Sequence, residues 1–121
     1  MQGVVSPRGL PTVLLHDGGI SLPATVDTGF KGDLELPLVL RDQVPGRWIG
    51  RIRSRLADGR VIEEDNFGLE LTFDGEAVRA QATFAPVKHA LIGTRLLRRH
   101  RLEIEFRSGS VLLQKSALLL G

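Results

Sequence analysis

The chain has 121 residues, 42% of them hydrophobic, which is enough for one domain over residues 1–121 with one buried core. It has no cysteine, which excludes disulfides and thiolate metal sites, and its three histidines (His16, His89, His100) show no ligand spacing, so neither a metal nor a cofactor is expected. A net charge of +2 is too small to argue for nucleic acid as a partner.

The first residues, Met1 to Arg8, lack the basic start and apolar centre of a signal peptide, and the apolar run Ala117 to Leu120 is too short to cross a bilayer. A cytoplasmic protein with no membrane contact is therefore expected. Leu10 to Leu15 is apolar and suits a strand. Asp17-Gly18-Gly19 signals a turn, and Ile20 to Val26 returns as a second strand with Pro23 marking an edge or bulge. Leu34, Leu36 and Pro37 make a short strand and its end. Arg41 to Arg47, with Pro45-Gly46, reads as a loop.

Trp48 to Leu56 reads as a strand with Arg51, Arg53 and Arg55 on one face and Trp48 in the core. Val61 to Asn66 follows the turn Ala57-Asp58-Gly59-Arg60. A two-residue loop at Asp58-Gly59 would set Arg53 opposite Glu64 and Arg51 opposite Asn66, a basic strand against an acidic one. Such a hairpin has little to bury and should project from the core. Phe67, Leu69, Leu71 and Phe73 alternate, Asp74-Gly75 turns, and Val78, Ala80, Ala82 and Phe84 alternate on the return. A two-residue loop there matches the apolar faces, Leu71 to Val78, Leu69 to Ala80 and Phe67 to Ala82. Pro86 ends the run. Ala90 to Gly93 is a short apolar strand, and Thr94 is placed to cap a helix from Arg95 to about His100. A last hairpin joins Leu102–Phe106 to Val111–Gln114 around Ser108-Gly109. Closely spaced hairpins with one short helix predict a small all-β barrel or sandwich.

The chemistry concentrates at Asp27-Thr28-Gly29, directly after the apolar strand Ala24 to Val26. The tripeptide alone is a common turn. Its context carries more: Leu91-Ile92-Gly93 followed by Thr94-Arg95-Leu96-Leu97 lies downstream, and the Leu56-Ala57-Asp58-Gly59 hairpin lies between the two. In this order, over roughly Leu10 to Gln114, the chain resembles the retropepsin-like aspartic proteases, most of all their small stand-alone bacterial members.

The resemblance implies an all-β, retropepsin-like closed barrel or sandwich with a flap hairpin, active as a homodimer. It implies an endopeptidase whose Asp27 pairs with Asp27 of a second copy to activate water. Thr28 would cross-brace the two loops, and Gly29 would let backbone approach the substrate. Phe30, Lys31, Ala57, Asp58, Gly59, Leu91 and Ile92 would contact a peptide or protein substrate. In the viral branch an acid follows Asp-Thr-Gly-x and an Arg follows the downstream Gly, forming an ion pair; here Lys31 and Thr94 hold those places. Phe30 stands where that branch has a small residue, which would narrow a pocket. The Leu118 to Leu120 tail would pack in the core or join a dimer sheet. A competing expectation is a peptide- or protein-binding module of the same dimeric fold with a weak or absent dyad. A third is an anion binder using Arg95, Arg98, Arg99, His100 and Arg101, a cluster that equally suits a solvated helix end.

Overall fold

The computed structural model describes residues 1–17 and 20–116. Ten strands form one mixed sheet: β1 (Gln2–Val5), β2 (Pro11–Asp17), β3 (Ile20–Val26), β4 (Leu34–Pro37), β5 (Arg47–Arg55), β6 (Val61–Phe73), β7 (Glu76–Ala85), β8 (Ala90–Ile92), β9 (His100–Glu105) and β10 (Ser110–Lys115). Their order is β5-β6-β7-β4-β8-β3-β2-β1-β10-β9, and a bridge between His16 and Thr72 joins β2 back to β6. The strands from β2 round to β6 thus close into a six-stranded ring. β5 is added outside it on β6, and β1, β10 and β9 extend from β2. The all-β expectation holds, with one α-helix, α1 (Thr94–Leu97), and a 3-10 turn at Leu38–Leu40 among the described residues. No helix there is long and apolar enough to cross a membrane.

The ring closes because alternate side chains point inward. Val13 and Leu15 are buried while Leu14, between them, is 51% exposed. Leu69, Leu71 and Phe73 meet Val26, Leu34, Ile92 and Leu113 in a continuous core. Each such side chain contributes about 1.5–3 kcal/mol on burial. The β6–β7 register is the expected one, Leu71 with Val78, Leu69 with Ala80 and Phe67 with Ala82. Asp74 (φ 51°) and Gly75 (φ 78°) take the left-handed conformations that a two-residue hairpin loop requires.

Four local expectations are corrected. The β5–β6 register is one residue off, with Arg53 opposite Glu63 and Arg51 opposite Asp65. Gly59 N–H donates to the Leu56 carbonyl and Leu56 N–H to the Arg60 carbonyl, so Ala57 joins Asp58 and Gly59 in a three-residue loop. Gly59 alone is left-handed (φ 89°), and the Asp58 carboxylate accepts the Arg60 N–H at 3.0 Å. Trp48 is not core: it is 57% exposed, and its indole N–H donates to Asp65 at 3.1 Å. The helix stops at Leu97, and Thr94 does not cap it; the N-cap is Gly93. His100 begins β9 because His100, Leu102 and Ile104 alternate inward at the strand period. Pro23 bonds only toward β2, since the β3–β8 pairing starts at Ala24, in keeping with an edge position there. The Gly18-Gly19 part of the first turn and the Leu118–Leu120 tail lie outside the described residues.

Candidate active site

The strand β8 organises the site. It runs parallel to β3, pairing Thr25 with Leu91 and Val26 with Ile92, and antiparallel to β4, pairing Leu34 with Ile92 and Glu35 with Leu91. Leu91 and Ile92 are therefore clamped on both edges, and Ala90 on the β3 edge alone. The loop 27–33 leaves β3 and is stitched to the chain that leaves β8. Asp27 N–H donates to the Ile92 carbonyl (2.9 Å), Gly93 N–H to Asp33 (2.9 Å), Thr94 N–H to Phe30 (2.8 Å) and Arg95 N–H to Gly32 (3.2 Å). The Thr94 hydroxyl also reaches the Phe30 carbonyl at 3.3 Å. Within the loop, the Asp27 carboxylate accepts the Gly29 N–H at 2.9 Å, and the Asp27 carbonyl accepts the Phe30 N–H at 3.1 Å. These bonds fix where the Asp27 carboxylate points.

Asp27 is partly exposed and opens, with Thr25, Thr28 and Leu91, onto a cleft of about 670 Å³. The Thr28 side chain is exposed and has no hydrogen-bond partner among the described residues. The other expected substrate contacts divide. Leu91 lines the cleft, but Ile92 is corrected: it is fully buried in the core, because successive strand residues face opposite ways. Only its main-chain carbonyl serves the site. Phe30 folds its ring back over Gly32 and, like the exposed Lys31, is not part of the cleft lining. Ala57, Asp58 and Gly59 form the exposed tip of the β5–β6 hairpin. Among the described residues no group of three or more His, Cys, Asp or Glu could hold a metal ion.

Two features escaped the sequence reading. The first is Asp33, 7% exposed, whose carboxylate accepts the Gln81 N–H at 2.8 Å and lies 3.9 Å from Arg95. Arg95 and Asn66 both donate to the Gln81 side-chain oxygen, at 3.0 and 3.1 Å. An acid and an arginine thus link the two loops, set beyond the Lys31 and Thr94 positions that the resemblance points to. The second is Glu35. Register puts it in one row with Thr25, Leu91 and Thr83, on the face opposite the buried row Val26, Ile92, Leu34 and Ala82. Burial raises its pKa, and the negative charges of Glu64 and Asp27 add to the effect. The opposite case is His100, whose pKa burial lowers despite Asp74 and Glu76 nearby, so it does not join the cationic cluster of the neighbouring arginines.

A raised carboxyl pKa means that the folded state holds the proton more tightly than the unfolded chain. Ionising Glu35 therefore costs stability as pH rises from the ordinary glutamate range through its folded-state pKa. Glu35→Gln should melt close to wild type at pH 4 and above it at pH 7. Thermal melts at both values check this; a Glu35→Gln advantage that is the same at both pH values would contradict it.

No protein-family model matches the sequence, and no curated protein matches it. Solved structures do. A retropepsin-like aspartic protease from Rickettsia conorii superposes with a TM-score of 0.68 over 93% of this chain and 88% of that one, at 14% identity. The simian foamy virus (mac) protease superposes with a TM-score of 0.57 over 72% of this chain and 91% of that one, at 18% identity. The chain has the retropepsin-like fold. A foamy viral protease–reverse transcriptase, solved with an RNA/DNA hybrid, matches 79% of this chain with a TM-score of 0.59 and 17% identity, but the match covers only 13% of that longer chain. At such identities the retropepsin-like fold is what is shared. The strand β8, seated between β3 and β4 behind the Asp27 loop, is the part of that fold that builds the site here.

Proposed function

We propose that the protein is an aspartic endopeptidase that works as a homodimer, with Asp27 of each copy forming the catalytic pair. The observation that carries this is the Asp27 loop itself: a carboxylate at the end of β3, aimed by the Gly29 N–H, backed by β8 and open to a cleft. The retropepsin-like fold supports it. One chain carries one Asp-Thr-Gly, so the dyad needs a second copy, and twofold symmetry brings identical loops together. Two such carboxyls cannot both ionise; one keeps a proton. The ionised member takes a proton from water, and the protonated member donates to the scissile carbonyl oxygen. Thr28, exposed and without a side-chain partner among the described residues, would brace the opposite loop.

In this reading the β5–β6 hairpin is the flap. Its outer face carries Arg51, which lies 3.3 Å from Glu63 and 3.6 Å from Asp65. Its other face pairs Ile52 with Glu64 and Ser54 with Ile62. The exposed tip would close over an extended peptide and bond its main chain. Membrane and nucleic acid have no part in this reading.

Two measurements test it. Specific activity should fall as the protein is diluted through its dimer dissociation, followed by sedimentation; a monomer with full specific activity would refute the shared dyad. Gly59→Val should strain the left-handed tip by about 1–2 kcal/mol, lower the melting temperature by a few degrees and lower kcat/KM several-fold. Normal turnover in Gly59→Val, or amide protection over residues 51–65 as strong as in the β6–β7 hairpin, would mean that the hairpin is a fixed element.

A further inference from the structure

We infer, resting on the peptide-cleft reading above, that the preferred substrate carries an acidic side chain next to an apolar one, with its carboxylate against the wall formed by Arg8, Lys88 and His89. All three residues line the cleft at Asp27, and among the described residues Asp27 is the only acid that lines it. All three are exposed, and none has an ion pair or side-chain hydrogen bond among the described residues. Elsewhere among the described residues some surface cations are matched and others, such as Arg53, Arg55, Arg98, Arg99 and Arg107, are open but do not line the cleft. Arg60 lies 2.6 Å from Asp58, Arg101 is 2.6 Å from Glu103, and Lys115 is 3.1 Å from Glu76. The cleft wall is where open positive charge borders the Asp27 carboxylate.

The wall is also held in place. Arg8 sits on the β1–β2 loop, closed by Gly9 N–H to the Ser6 carbonyl and Ser6 N–H to the Leu10 carbonyl, both at 2.8 Å, with Gly9 left-handed at φ 82°. Lys88 and His89 lead directly into β8, which is paired on both edges. The backbone that carries these charges is thus fixed, while their exposed side chains are free to turn to an arriving anion. Beside them the cleft is apolar and open: Leu10 is 38%, Val87 37% and Phe106 66% exposed. Successive side chains of an extended peptide point in opposite directions. One residue can rest on Leu10 and Phe106 while its neighbour turns a carboxylate to Lys88 and Arg8. The requirement is local to that wall, because Glu35 stands on β4 with the charge of Glu64 from the hairpin acting on it.

The test uses peptides that share one apolar core and carry Glu, Gln or Lys at each flanking position in turn. Cleavage by wild type is compared with that by an Arg8→Glu/Lys88→Glu variant, and binding of the same peptides is measured on Asp27→Asn protein with and without the wall changes. At one flanking position Glu should be favoured over Lys by roughly tenfold. The preference should shrink when salt is raised from about 0.05 to about 0.5 M, and reverse in the charge-reversed variant. The single change Lys88→Gln, which is milder for folding, should weaken it without reversal. Equal handling of Glu and Lys peptides by a protein that cleaves or binds them overturns the inference and leaves the protease reading standing. Glu-selective binding with no cleavage supports the inference and overturns the protease reading. Neither binding nor cleavage of any peptide overturns both. A charge-reversed variant that changes only dimer dissociation, with peptide preference intact, overturns the inference because the wall then faces the second copy.

Discussion

Asp27→Asn should lower peptide hydrolysis by about 10³-fold or more and leave the protein folded. In the proposed dimer a single substitution removes both carboxyls of the dyad. The amide cannot share a proton with its twin or take one from water. It can still accept the Gly29 N–H through its oxygen, so the loop keeps its local bond. It also removes a negative charge that acts on Glu35, which should favour the folded state slightly. The measurement is turnover of a diverse peptide mixture together with a melting curve. Undiminished cleavage by Asp27→Asn protein would rule out the aspartic mechanism. Wild-type protein that binds peptides and never cuts them would favour the binding-module alternative.

The second large effect is expected at a residue with no chemistry of its own. Gly93 is buried where β8 meets the Asp27 loop, and a Cβ there would overlap the Gly32 carbonyl oxygen and lie 2.7 Å from that of Phe30. Both obstacles are backbone, and both carbonyls are held by hydrogen bonds from Arg95 and Thr94. Neither can swing away as a side-chain tip could. Gly93→Ala should therefore cost about 3 kcal/mol and displace the loop, lowering activity even in the fraction that stays folded. Denaturant unfolding beside kcat/KM at a temperature where the variant is folded separates the two losses. Near-wild-type stability in Gly93→Ala would mean that the two segments are less tightly joined than these contacts require.

How much of this was legible in the sequence depended on whether neighbouring signals agreed. At Asp74-Gly75 the turn type and the alternation of Leu69, Leu71, Val78 and Ala80 pointed to one register, and that register is found. At Asp58-Gly59 the same dipeptide had no apolar alternation to check it, and an extra loop residue moved every pair by one. The run Arg95 to Arg101 has too few apolar residues to display a helical period, so the turn into β9 at His100 was hidden. Leu91 and Ile92 could have been separated by strand alternation alone, which puts one in the cleft and the other in the core. Asp33 could not: its partner Gln81 is 48 residues away, and Lys31-Gly32-Asp33 reads as ordinary polar loop.

The position of β8 also bears on how the chain reaches its native state. Residues 90–92 must slot between two segments laid down more than fifty positions earlier, and until they do the Asp27 loop lacks its bonds to residues 92–95. Closing so long a loop is entropically costly and tends to make folding slow. A nascent chain that has emerged only as far as the β6–β7 hairpin has five of the six ring strands but lacks the residues 92–95 whose bonds hold the Asp27 loop. In the proposed endopeptidase the Asp27 geometry would thus wait until residues 90–95 have been synthesised and folded into place.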